Sequence, residues 1–269
     1  MWRRFLCGIG VLGTIVWSAT REPLAPKLGA QTNSGTSQTG ATKFTAAKKT
    51  LWTTVARGVE MRTFRTPFTQ HDAPIEITAL RVRPNRLKVA SGALQTVEAW
   101  RQKNRAIAAI NGGYFDINNK SLGLRISDNR RTHDLRAADW GVFYVEGSRA
   151  RIIHTVDYRA LRERGQTRRV LEAIQCGPRL VVNNTFTKLK TQWARRTAIG
   201  VDREGFVVVA IADGQLSFGE WQRTWRDTLR CPNALNLDGG GSTQMSLRAG
   251  NSTREIGGYW PVPDAIVIR

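Results

Sequence analysis

From Leu51 onward, short apolar runs rich in β-branched residues alternate with turn signals, the pattern of strands joined by tight loops. Ile75–Arg83 ("IEITALRVR") reads as a strand stopped by Pro84, and Ala106–Ile110 as a buried strand ending at "NGGYFD". Val142–Val145 and Ile152–Val156 flank "EGSRA", a hairpin signature. Arg179–Val182 follows a Gly-Pro pair, with Asn183-Asn184 as the next turn. Phe206–Ala212 is a nearly continuous apolar strand ending at Asp213-Gly214, and Ala265–Ile268 closes the chain as a strand. Helical spacing is rarer. Gln95–Asn104 fits a helix with Thr96 as N-cap. Ser217–Arg230 fits better: Ser217 and Glu220 have the spacing of a capping box, Phe218, Trp221, Trp225 and Leu229 form one apolar stripe, and Pro232 stops it. The expected fold is α+β, a single domain with a mixed β-sheet core and few helices.

The first fifty residues break this pattern. Met1-Trp2-Arg3-Arg4 is basic, Phe5–Thr20 carries no charge, and Arg21 ends the run. That is the layout of a secretory signal, and cleavage after Ala19 or Ala30 is its consequence; an uncleaved membrane anchor is the alternative for residues 1–30. Residues 31–50 are rich in Ala, Thr, Ser, Gly, Gln and Lys, a composition that buries too little apolar surface to order itself. They read as a disordered linker to a domain spanning 51–269. The domain is expected outside the cytoplasm, whether periplasmic, secreted or attached to a membrane through its N-terminal segment.

Charge narrows the partners. The chain is +20, and residues 51–269, with 34 basic and 20 acidic residues, keep +14 of it. A basic surface draws anions without choosing among them. The export-like segment and the lack of a recognisable reader motif argue against nucleic acid. An anionic glycan fits better. Cys176 and Cys231 remain after the leader, and outside the cytoplasm two thiols either pair or stay separately buried. No Cys/His cluster has zinc spacing, and the residues name no cofactor. HExxH, GxSxG and Walker A patterns are absent, and His71, His133 and His154 form no recognisable dyad.

Chemistry-bearing residues gather in glycine-containing corners that follow strands. Gly112-Gly113 and Gly239-Gly240-Gly241 have no Cβ, so a ligand can approach the backbone and successive N–H groups can face an anion. A plain turn or linker is the simpler reading of the triple glycine, but it directly follows the apolar "ALNL". Asp116, Asp213, Glu220 and Asp238 lie in or beside the corners, and cleavage at a glycosidic centre usually needs two carboxyl groups in different states. Each of the first three has an alternative: Asp116 turning its own loop, Asp213-Gly214 forming a turn, Glu220 completing the capping box. Of Arg195 and Arg196, one pointing into the cleft could hold a phosphate with two parallel hydrogen bonds; a solvated surface pair is the alternative.

"AINGGYFD", "CGPRLV", "RRTAIGVD", "ADG" and "ALNLDGGGST" occur in the order found in the phosphodiester glycosidase family, and over Pro74–Arg269 the chain resembles a bacterial-type exported member. The resemblance implies hydrolysis of a sugar-1-phosphodiester, here on an envelope or exopolysaccharide-type glycan. It implies Asp238 or Asp213 as base or electrostatic stabiliser, Glu220 as a second acid, and Asp116 beside them. Asn111 and Tyr114 would bond the sugar or phosphate. Arg196, Gly112, Gly113, Gly239, Gly240, Gly241, Ser242 and Thr243 would line the substrate site. The alternative is a non-catalytic protein of this fold that binds anionic polysaccharide and aids its assembly or export.

Overall fold

The computed structural model of the protein describes residues 52–66 and 74–269. The expected signal or anchor (1–30) and linker (31–50) lie outside the described residues, as does His71. Three sheets carry the fold. The largest, of eight strands, runs Thr53–Ala56, Val59–Arg65, Glu76–Val82, Val207–Ser217, Trp193–Val201, Asn233–Asn236, Arg179–Val182 and Thr185–Phe186 in spatial order. A five-stranded sheet orders Arg130–His133, Arg125–Ser127, Val170–Cys176, Gly141–Glu146 and Arg149–His154. The third, also five-stranded, orders Ser252–Ile256, Met245–Ala249, Ala108–Asn111, Val262–Ile268 and Leu87–Gln95. Three α-helices, Val97–Lys103, Thr155–Glu163 and Phe218–Arg223, lie among the described residues. The α+β class with few helices is as expected. The pairings among the described strands are antiparallel, where the sequence reading expected a mixed sheet.

The apolar run after Phe206 has a plain cause. Val207, Val209 and Ile211 point into a core shared by all three sheets, with Leu80, Phe143, Ile174, Ile110 and Ile266. Val208, Ala210 and Ala212 point the other way, onto Ile77, Ala79, Ala198, Trp221 and Trp225. Side chains alternate across a strand, so a strand buried on both faces reads as continuously apolar. It does not stop at Asp213-Gly214 as expected. It continues to Ser217 past a register shift opposite Ala194 and Arg196.

The expected capping box is present: Ser217 Oγ accepts from Glu220 N, and Glu220 Oε2 accepts from Ser217 N at 2.8 Å. The stripe behind it packs on the sheet, with Trp221 and Trp225 edge to face at 5.6 Å. A Cβ on Gly200 would lie 2.6 Å from the Trp225 ring, so that glycine makes the groove for the aromatic. The helix turns π-helical over Thr224–Thr228. The second expected helix forms over Val97–Lys103 with Thr96 accepting from Ala99 N. Asn183 and Asn184 both take positive φ, as a two-residue hairpin turn requires. Cys176 and Cys231 do not pair. Each is a free thiol in a different apolar cluster, and burial pushes the Cys176 thiol up to about 12.

Candidate active site

The two glycine corners come together. Asn111 ends the Ala108–Asn111 strand, and Asp238 follows Asn233–Asn236 in a different sheet. Asp238 N donates to Gly112 O at 3.1 Å, and Asn111 Nδ2 donates to Asp238 O at 2.7 Å. Asn111 Oδ1 accepts from Thr197 Oγ1 at 2.8 Å and Gln244 N at 3.2 Å. One buried amide thus ties the ends of three strands, since an interior polar group needs partners for both its donor and its acceptor.

Above this seam lies a cleft of 370 Å³. Tyr114, Phe115, Asp116, Ile117 and Asn119 supply part of its wall, and Asp238, Gly239, Ser242 and Trp260 the remainder. Asp238 Oδ1 accepts from Gly239 N at 2.9 Å, and Ser242 bonds its carboxyl as well. Ser242 Oγ in turn accepts from Trp260 Nε1 at 3.1 Å. Burial pushes the Asp238 carboxyl up to about 6, against the two hydrogen bonds, and the negative Asp264 nearby adds to the rise. The group therefore changes charge near neutrality, which suits proton transfer at the site.

Beneath the seam is a buried charge pair. Asp264 and Arg125 are both shielded from solvent, with Arg125 Nε donating to Asp264 Oδ2 at 3.0 Å. Asp264 Oδ1 accepts from Gly113 N at 2.7 Å, and Oδ2 accepts from Ser121 Oγ. Arg125 also donates to the carbonyls of Leu124 and Gln175 at 3.0 Å. A buried pair is tolerated when its remaining hydrogen-bonding groups are satisfied in this way. A Cβ on Gly112 would lie 1.8 Å from Asp264 Oδ1, and one on Gly113 would lie 2.4 Å from Arg125 Nη2.

A profile of the phosphodiester glycosidase family matches residues 104–269. The chain belongs to that family. This glycosidase is a hydrolase of the class that acts on phosphodiester-linked sugars. Its fold is similar to the catalytic domain of zebrafish N-acetylglucosamine-1-phosphodiester alpha-N-acetylglucosaminidase auto-inhibited by its pro-peptide (TM-score 0.65, 18% identity, covering 79% of this chain and 83% of that one). It is also similar to a Synechocystis protein (TM-score 0.55, 16% identity, 79% and 62% covered). A protein of Burkholderia pseudomallei shares the fold too (TM-score 0.53, 14% identity, 72% and 74% covered). At such identities the likeness is one of fold. No curated protein matches the chain.

In this glycosidase the anticipated residues divide. Asp238, Asp116, Tyr114, Gly239 and Ser242 line the cleft. Asp116 also turns its own loop, its carboxylate accepting from Asn118 N and Lys120 N, both at 2.9 Å. Tyr114 donates its phenol proton to Gly177 O at 2.6 Å, and burial raises its pKa further. Gly240 takes φ +59 with open space where a Cβ would stand, whereas Gly241 supports the Trp260 ring. Thr243 is buried against Thr197.

Three of the expected residues stand outside the cleft wall. Glu220 is buried in its capping box rather than in the cleft wall. Asp213 is exposed mid-strand and pairs with Arg195 at 2.9 Å. Arg196 packs under Phe218, its Nε donating to Leu216 O at 3.0 Å, and burial lowers its pKa to about 10. Asn111 lies in the seam, and Gly112 and Gly113 lie against the charge pair beneath it. Sequence reasoning missed Asp264, Arg125 and Trp260. The signal for Asp264 was a lone carboxylate inside the apolar "VPDAIVI", a residue that is seldom buried without a partner. Among the described residues, no cluster of three or more His, Cys, Asp or Glu side chains could hold a metal.

Proposed function

We propose that the protein hydrolyses a sugar-1-phosphodiester on an extracytoplasmic glycan of the envelope or exopolysaccharide type, in the cleft beside Asp238. One observation carries the reading: a carboxyl with its pKa pushed up to about 6 sits where the two motif corners join. Phosphate is a good leaving group, so the main demand is stabilising positive charge at the anomeric carbon and directing water. Ionised Asp238 serves both purposes. Water oxygen bonds to the anomeric carbon as the bond from that carbon to the phosphate oxygen breaks. The phosphomonoester leaves with the electron pair, and Asp238 takes the proton from water. Asp116 is the second carboxylate of the cleft. The +14 charge of residues 51–269 raises the local concentration of such a substrate. Residues 1–30 direct export or attach the protein to a membrane.

The test is hydrolysis of a sugar-1-phosphodiester in ¹⁸O-water. Label recovered in the sugar supports cleavage at the anomeric carbon. Label in the phosphate contradicts it. Tight binding of anionic polysaccharide with no turnover of any sugar phosphodiester would favour the non-catalytic binding role instead.

A further inference from the structure

We infer that Tyr259 and Trp260 form a second sugar subsite beside the Asp238 cleft, one that takes a neutral sugar unit adjoining the scissile phosphodiester. The inference rests on the hydrolase reading of that cleft and narrows its substrate to an oligosaccharide. Tyr259 and Trp260 connect the Ser252–Ile256 and Val262–Ile268 strands and are 75% and 50% exposed. Two adjacent large aromatics left in water call for an explanation by binding. Trp260 is a shared wall. On one side is the Asp238 cleft, and on the other a groove of 380 Å³ lined by Val97, Glu98, Glu255, Tyr259 and Pro261 among others. The rings meet edge to face at 6.1 Å, so they form two walls of a corner rather than a flat patch.

These exposed rings are firmly held. Trp260 Nε1 donates to Ser242 Oγ, and Trp260 O accepts from Gln244 Nε2 at 3.0 Å. A Cβ on Gly241 would lie 2.3 Å from the Trp260 ring, so the third glycine of the motif is the socket for that side chain. Tyr259 N donates to Gly241 O at 2.8 Å. Arg195, anchored by Asp213, donates to Gly257 O at 3.0 Å and lies 5.7 Å from the Tyr259 ring centroid. Rings fixed before binding cost little entropy to use. Asp213, unused in the chemistry, thus positions the aromatic corner through Arg195.

The groove's chemistry selects its occupant. An aromatic face suits the C–H face of a pyranose, and the Glu98 and Glu255 carboxylates accept hydrogen bonds from hydroxyls. Arg248 lies 3.7 Å from the Glu98 carboxylate and 3.8 Å from that of Glu255, which offsets their charge, so the aromatic wall and the hydroxyl-accepting oxygens together suit a neutral sugar unit.

The test compares three probes on the full chain: the methyl phosphodiester of N-acetylglucosamine-1-phosphate, the same group extended by two sugars on the sugar side, and the same group extended by two sugars beyond the phosphate. One extended probe is expected to exceed the methyl probe at least about tenfold in kcat/KM. Tyr259→Ala should reduce that advantage to below about threefold through KM, and Tyr259→Phe should retain it. Equal kcat/KM for all three probes, or an advantage untouched by Tyr259→Ala, would overturn the subsite. If no probe is turned over, the hydrolase reading fails separately. Calorimetry on the same probes then decides: tighter binding of an extended probe that is lost in Tyr259→Ala supports the subsite, and equal binding overturns it. Self-association of the chain abolished by Tyr259→Ala would also overturn it.

Discussion

At Gly112 and Gly113 the space a Cβ would take is filled from inside, by Asp264 and Arg125. At Gly240 that space is open, and at Gly241 it is filled by an aromatic standing at the rim of a cleft. The two corners look alike as sequence, and they bond to each other directly through Asp238 N and Gly112 O. Their glycines nevertheless serve different ends. The first pair admits a buried ion pair that fixes the floor. The second group bends the chain around a carboxyl that faces the cleft. The absence of a Cβ therefore marks a close approach, and the approaching group must be identified before a function is read from it.

Substitutions separate the two corners. Asp264→Ala leaves the Arg125 guanidinium buried without its counter-charge, and loss of one partner of such a pair costs about 3–5 kcal/mol. Denaturant unfolding should show a large drop or no folded protein. Asp238→Asn should behave oppositely. The folded chain holds the Asp238 proton up to about pH 6, whereas the unfolded chain releases it near pH 4. Its contribution to stability is therefore complete below about pH 4 and lost as pH rises through 6. Asparagine suffers no such loss, so the variant should gain about 2–3 kcal/mol over the parent at pH 8 and little at pH 4. Gly240→Ala meets no steric contact but must hold φ +59, which costs about 1 kcal/mol; thermal unfolding measures it. Asp213→Asn removes a half-exposed ion pair and should shift stability by less than about 1 kcal/mol. A larger drop for Asp213→Asn than for Asp264→Ala would invert the division between floor and rim.

Much of the scaffold was readable because burial imposes periodicity. The Val207–Ser217 strand was legible in its doubly buried part and lost its apolar pattern beyond Ala212, where Asp213 meets solvent. The Phe218–Arg223 helix was legible through its cap and aromatic stripe. Helix Thr155–Glu163 was not: its cap is His154, accepting from Val156 N, and its body is mostly polar. The strands Thr53–Ala56 and Val59–Arg65 lie toward a sheet edge, where half-exposed side chains weaken the alternation. In the site, Asp238 was legible because its corner is local. The Arg125–Asp264 pair joins residues 139 positions apart, and no local pattern reports such a partner. For Glu220 the sequence left a capping box and a catalytic acid open, because the two look the same until the carboxylate's partner is seen, and here that partner is Ser217.

The central claim is that Asp238 acts in its ionised form at the cleft. The pH dependence of kcat/KM on a sugar-1-phosphodiester, compared between the parent and Asp238→Asn, tests it most directly. The parent should gain activity as pH rises through about 6, since the carboxylate is the working form. Asp238→Asn should remain folded, lose at least about a hundredfold in kcat/KM, and lack that rise. A folded Asp238→Asn protein that kept the parent's turnover and pH profile would contradict the claim.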